Sequence, residues 1–278
     1  MKWLYLFSVF IVITISCNAL ICSDAEISFV VSLKNFSLDE FISLINLRVS
    51  TNGHKKCLVD IQVNYAQKIL IVLFGSGISS SSLTTNRQIY MDTYLALAQD
   101  DIYLKSHNVI INHVQFACNT NDCNHQFLLR HLEWLVKMEY NDLVSNISPL
   151  LIKKNEIIDR CVSGKQNKIQ SCPNGLCYLE YSMSTDKTKY DCESGSDMQP
   201  ALHLVTYFTA QDYKYQERMA KVNFTISYWC RSDGCNDEAM AKQVIRVVEE
   251  NYNLFEMQDM LHTANIEYWI EEESKLDK

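Results

Sequence analysis

The chain has 278 residues, 47% of them hydrophobic and 21% charged, with a formal net charge of −8. That apolar share is ordinary for a folded protein, and with three prolines and seven glycines it predicts a mostly ordered chain rather than a low-complexity one. The acidic excess argues against nucleic acid and anionic membrane surfaces as partners.

At the start, Lys2 is followed by an apolar run of 13 residues, Trp3 to Ile15, and then by Ser16-Cys17-Asn18-Ala19. This is the three-part layout of a secretory signal peptide, and the run falls short of the roughly 20 residues that cross a bilayer. The expected organisation is a signal peptide over 1–19, cleavage after Ala19, and a secreted, extracellular product. No later stretch is apolar enough to span a membrane, and the polar end from Ile270 to Lys278 lacks the signal for a lipid anchor.

Of eleven cysteines, Cys17 lies in that signal peptide, which leaves Cys22, Cys57, Cys118, Cys123, Cys161, Cys172, Cys177, Cys192, Cys230 and Cys235. In a secreted chain an even set reads as a disulfide framework rather than as metal or redox chemistry. Spacing alone leaves the pairing open, since the six cysteines from Cys161 to Cys235 allow fifteen connectivities. Asn35, Asn146 and Asn223 each open a glycosylation sequon, with Pro149 just past Ser148 disfavouring Asn146.

The roughly 259 residues after residue 19 suit two domains, expected at 20–155 and 156–278. In the first, Val59, Ile61, Val63 and Tyr65 alternate with Asp60, Gln62 and Asn64, and Lys68 to Phe74 follows after a short turn. That period of two is the signature of half-buried strands. A third strand runs into Cys118-x4-Cys123-Asn124, after which Leu128, His131, Leu132, Leu135 and Met138 mark a helical stripe.

The second domain repeats this order. Leu179, Tyr181 and Met183 alternate with Glu180 and Ser182, and Val222, Phe224, Ile226, Tyr228 and Cys230 share one strand face with Asn223 pointing away. Cys230-x4-Cys235-Asn236 closes the strand, and Ala241, Val244, Ile245, Val248, Tyr252 and Phe255 form the next helical stripe. A third amphipathic segment, Leu261 to Ile270 with Trp269, precedes an acidic end.

The order Cys161-x10-Cys172-x4-Cys177-x14-Cys192, closed by Cys230-x4-Cys235-Asn236, resembles the three-finger proteins, the group of snake neurotoxins and of the urokinase-receptor and lymphocyte-antigen family. That resemblance implies the pairs Cys161 to Cys177, Cys172 to Cys192 and Cys230 to Cys235. Carried to the first domain, where Cys22 stands near the expected mature start, it implies Cys22 to Cys57 and Cys118 to Cys123. The pattern departs from the family in lacking the third-finger bond in both domains and the second pair in the first. Helices after the closing asparagine are also foreign to the simple fold. The expected fold class is therefore α+β: two tandem disulfide-stapled small antiparallel-sheet, three-finger-like units, each followed by an amphipathic helix.

Signatures of chemistry are missing from the sequence. It contains no H-E-x-x-H, G-x-S-x-G or Walker loop, and the serine-rich segment Gly75 to Ser82 has no lysine to cradle a phosphate, so it reads as a flexible loop. His107 and His113 could share a strand face but offer no third ligand. The expectation is a monomeric, non-enzymatic protein without cofactor or metal that binds an extracellular protein through its loops. The loop Gln211 to Arg218 is the contact to test, because Tyr213, Tyr215 and Arg218 are of types enriched in binding hot spots. The other reading is a structural or matrix protein that self-associates through its helical stripes.

Overall fold

The alternating segments form strands and the 3.6-period stripes form helices. The computed structural model describes residues 20–24, 28–48, 50–54, 56–75, 88–97, 108–118, 120–153, 160–164, 168–173, 175–194, 199–209, 221–254 and 257. Among these residues the chain is α+β, dominated by one antiparallel sheet of nine strands, with four α-helices and five disulfides. No helix among the described residues is long and apolar enough to cross a membrane.

The strands are β1 (Leu20–Asp24), β2 (Phe29–Ser32), β3 (Ser50–His54), β4 (Cys57–Asn64), β5 (Ile69–Gly75), β6 (Gln88–Ala96) and β7 (Val109–Cys118). After them come β8 (Arg160–Ser163), β9 (Lys168–Ser171), β10 (Gly175–Ser182), β11 (Lys187–Ser194), β12 (Ala201–Thr209) and β13 (Lys221–Cys230). The helices are α1 (Leu38–Arg48), α2 (Cys123–Lys137), α3 (Asn141–Leu151) and α4 (Glu238–Asn251). The large sheet has the order β11-β10-β13-β12-β6-β7-β4-β5-β2, while β1 pairs with β3 and β8 with β9 in two small ribbons.

The sheet has a symmetry of register. Counted outward from its middle, β6-β7-β4-β5 on one side matches β12-β13-β10-β11 on the other. Cys57 stands opposite Cys118 across β4 and β7, and Cys177 stands opposite Cys230 across β10 and β13. Between the two sets, β6 and β12 pair antiparallel from Gln88↔Thr209 to Ala96↔Ala201, with Asp92↔Val205 at the midpoint. A lone four-strand set would expose a row of unpaired backbone groups along β6 or β12. Each satisfies the other, so one sheet runs across residue 155 without an internal edge.

One face of the sheet is the core. Val59, Ile61 and Val63 of β4, Val114 and Phe116 of β7, Leu202 and Leu204 of β12, and Phe224 and Ile226 of β13 are all buried. The predicted stripes cover them with Leu128, His131, Leu132 and Leu135 of α2 and with Ala241, Val244 and Val248 of α4, and Phe127, outside the predicted stripe, joins them. Phe127 stacks on Phe116 at 4.1 Å between ring centroids, and Tyr252 stacks on Phe224 at 5.8 Å. Tyr252 also joins the two strand sets from below, its hydroxyl 2.8 Å from Oγ1 of Thr93. Met138 lies just past the end of α2 but still packs against the core, whereas Met183 lies past β10 and is exposed, so the alternation of that strand ends one residue sooner than its periodicity suggests.

Candidate recognition face

The five disulfides are Cys22–Cys57, Cys118–Cys123, Cys161–Cys177, Cys172–Cys192 and Cys230–Cys235. These are the pairs that the three-finger resemblance implies. The sulfurs of Cys161, Cys172 and Cys192 lie within 4.8 Å of one another, but each is already bonded to another sulfur, so the cluster is two crosslinks side by side. Gly175 allows this packing. A Cβ there would stand 2.6 Å from Sγ of Cys172 and 2.7 Å from the carbonyl oxygen of Glu193.

Each C-x4-C loop feeds an asparagine into the core. Nδ2 of Asn236 donates to the carbonyls of Val162 (2.8 Å), Tyr178 (2.9 Å) and Asp191 (3.3 Å), while its Oδ1 accepts from the Val162 amide (2.9 Å). Asn124 does the same in the other set, donating to Ser23 (2.7 Å) and Leu58 (3.0 Å) and accepting from the Ser23 amide (3.2 Å). The residue before each second cysteine is left-handed, Asp122 at φ 53° and Gly234 at φ 64°, a conformation that Asp tolerates and Gly adopts freely. These crosslinks and fully buried amides hold the strand ends that frame the sheet.

No element among the described residues packs on the other face, and strand alternation decides what it presents. Its middle carries Asp60 and Gln62 on β4, His113 and Gln115 on β7, Tyr90, Asp92 and Tyr94 on β6, and His203 and Tyr207 on β12. These side chains order one another. Nε2 of His113 lies 2.8 Å from Oδ1 of Asp60, whose Oδ2 accepts from Nε2 of Gln115 at 2.7 Å. Nε2 of His203 lies 2.7 Å from Oδ1 of Asp92, and the Tyr90 hydroxyl donates to its Oδ2 at 3.1 Å. Tyr94 meets the His203 ring edge-on at 6.2 Å, and Tyr90 meets His113 at 6.3 Å.

The charges follow from these contacts. The hydrogen bond to Asp60 raises the His113 pKa against the opposing effect of burial, and the charges of Asp60 and Asp92 add to the rise. Burial would raise the Asp92 pKa, but the hydrogen bond and charge of His203 outweigh it and hold the carboxyl below its ordinary value. Tyr90, half-buried beside Asp92, is pushed up to about 12. Between these groups lies a groove of about 250 Å³ lined by Gln62, Asp92, Tyr94, Ile111 and His113.

Of the residues expected to be functional, Asn35 and Asn146 are exposed, and Asn223 is half-buried opposite Tyr207 on the open face. The Ser148 hydroxyl of the Asn146 sequon donates to the Val144 carbonyl within α3. The 1–19 segment, His107, Phe255, the Leu261 to Ile270 segment and the contact triad Tyr213, Tyr215 and Arg218 lie outside the described residues. His113 stands near His107 in the sequence, but the group it meets is Asp60 on the next strand. Alternation in β6 and β12 was the signal that could have found Tyr90, Asp92, Tyr94 and His203.

A third histidine lies on the core side. His131 of α2 packs against Phe127 at 4.8 Å, and burial, with the charge of Arg130, pushes its pKa down to about 4. Its folded pKa lies below the ordinary value near 6.5, so its neutral form is fully stabilising above that value. Stability is then lost as pH falls from about 6.5 towards about 4, by at most about 3 kcal/mol. His113 works in the opposite sense: its raised pKa stabilises the fold below the unfolded value, and this is lost as pH rises through the folded one. Urea titrations from pH 4 to 8.5 are expected to show the acid-side loss flattened in His131→Phe, and the alkaline-side loss flattened in His113→Gln. Unchanged pH slopes in both variants would contradict these assignments.

No protein-family model matches this chain, and a search of the curated proteins finds no relative of it.

Proposed function

We propose that this chain is a secreted, non-enzymatic binding protein whose disulfide-framed sheet offers its open face to an extracellular protein partner. The observation that carries this reading is the band of Tyr90, Asp92, Tyr94, His113 and His203, ordered by hydrogen bonds and ring contacts on the side of the sheet that no described element covers, with Tyr207 opposite Tyr90 at its margin. Side chains ordered before binding lose less entropy when a partner arrives, and tyrosines supply large contact area at small rotamer cost. The segment Gln211 to Arg218, with Tyr213, Tyr215 and Arg218, is the second contact in this reading. Glycans on Asn35 and Asn223, with Asn146 the least favoured site, belong to the same extracellular assignment, and one on Asn223, beside Tyr207, would bound the contact on that side.

We read the two strand sets as tandem three-finger-like units joined edge to edge. The support is the recurrence of the strand pairings, of the cross-strand cysteines, and of the buried asparagines Asn124 and Asn236. Self-association through the helices has no comparable support, because the predicted stripes of α2 and α4 are buried against the protein's own core.

The test uses the secreted, oxidised protein as bait in extracellular fluid, followed by affinity measurement with the partner recovered. Alanine at Tyr94 and Tyr207 together is expected to weaken the complex at least tenfold with an unchanged melting temperature, and alanine at Tyr213, Tyr215 and Arg218 to weaken it less. Full affinity in the Tyr94/Tyr207 variant would sink the assignment of the face.

A further inference from the structure

The groove on the open face has a one-sided charge inventory. The outward positions of β4, β7, β6 and β12 include two carboxylates, Asp60 and Asp92, and no lysine or arginine. The groups that face His113 are Asp60 and Gln62 from β4, Tyr90 and Asp92 from β6, and Gln115 from its own strand. His203 completes the set from β12. Balancing cations on this band can thus come from its own histidines or from outside.

Asp92 is built to meet an outside cation. Its two oxygens are fixed by His203 and Tyr90, and a carboxylate has about four lone-pair sites, so about two remain for a ligand. Beside it Tyr94, a large aromatic that is 38% exposed, provides a ring of the kind that attracts cations. The groove's volume of about 250 Å³ falls just under the roughly 300–1,000 Å³ of drug-sized pockets, which suits a side-chain-sized group. A neutral polyol would hydrogen-bond to Asp92 but leave its charge unbalanced, and an anion would be repelled by it.

We propose that this groove captures a cationic nitrogen, an amine or a guanidinium, between the Asp92 carboxylate and the ring of Tyr94, with Gln62 and His113 as its walls. This rests on the open face being the binding surface and names the chemistry it reads. Protonation of His113 supplies a rival positive charge beside Asp92, so the captured cation is held at neutral pH and released on acidification.

The experiment is amide NMR titration of the full, oxidised, isotope-labelled protein. The probes are acetylated and amidated lysine and arginine for a protein side chain, spermidine for a free amine, and acetylated, amidated glutamine as the neutral control. The lysine or arginine probe is expected to shift the amides of Asp92, Tyr94 and His113 while the glutamine probe leaves them in place. Tighter binding of spermidine than of either amino-acid probe assigns the source to a free amine; the reverse assigns it to a protein side chain. Affinity is expected to fall at least tenfold in Asp92→Asn and in Gln62→Lys, which brings its own cation without disturbing the Asp92 contacts, and to fall between pH 7.5 and 5.5. Equal shifts from the glutamine probe, no shift from any cation, or full affinity in Gln62→Lys would overturn the proposal. A partner complex that persists in Gln62→Lys while the Tyr94/Tyr207 variant loses it would sink the cation site alone and leave the binding face standing.

Discussion

Asn236→Asp is expected to destabilise the protein by about 4 kcal/mol, more than most single substitutions at any surface site. Asn236 is fully buried and is the donor to three backbone carbonyls, those of Val162, Tyr178 and Asp191. Aspartate keeps the acceptor for the Val162 amide but cannot donate. It therefore turns toward those carbonyls either a repelling charge or a carboxylic acid with one proton for three acceptors. Each buried group left unsatisfied costs about 1–3 kcal/mol. Asn124→Asp removes the corresponding donations to Ser23 and Leu58 and is expected to act alike. Asn121→Asp is the control: its exposed Oδ1 only accepts, from the Ile21 amide at 2.8 Å, so the change should stay within about 0.5 kcal/mol. Urea denaturation of the oxidised proteins measures all three. Equal effects of Asn121→Asp and Asn236→Asp would remove the asparagines from the frame.

Removing the Cys22–Cys57 bond as a Cys22→Ala/Cys57→Ala pair is expected to cost about 4 kcal/mol, and removing Cys118–Cys123 about 2 kcal/mol, by the entropy of the loops they close. The first bond joins residues 35 apart and the second residues 5 apart. The longer loop matters more because the unfolded chain regains more freedom when it opens. Without its disulfide, β1 keeps its link to the C-x4-C loop through Ile21 to Asn121, Ser23 to Asn124 and Ser23 Oγ to Asp122. The double variant should therefore fold, with a lower denaturation midpoint. A larger loss from the short loop than from the long one would show that packing at the cysteines, rather than chain entropy, sets the scale.

Much of this frame was legible in the chain, and the reasons are local. Val59, Ile61 and Val63 alternate with polar residues, so a single strand suffices to reveal their face. Leu128, Leu132 and Leu135 lie three or four residues apart and declare one side of a helix. The edge-to-edge joining of β6 to β12 left no such mark, because it depends on the register of residues more than a hundred positions apart, such as Asp92 and Val205. His113–Asp60 and His203–Asp92 were hidden for the same reason, their partners being 53 and 111 residues distant. The helix α3 was concealed by Pro149 near its end. A proline lacks an N–H and reads as a stop, yet this helix continues two residues further.

The claim on which the account turns is that recognition happens on the uncovered side of the sheet. Covalent labelling of histidine and tyrosine side chains, with and without the bound partner, tests it most directly. The partner is expected to shield His113, His203 and Tyr94, while Tyr181 of β10, which lies on the helix side of the sheet beside Ile226, reacts as before. Shielding of Tyr181 with His113, His203 and Tyr94 still fully reactive would contradict the assignment of the face.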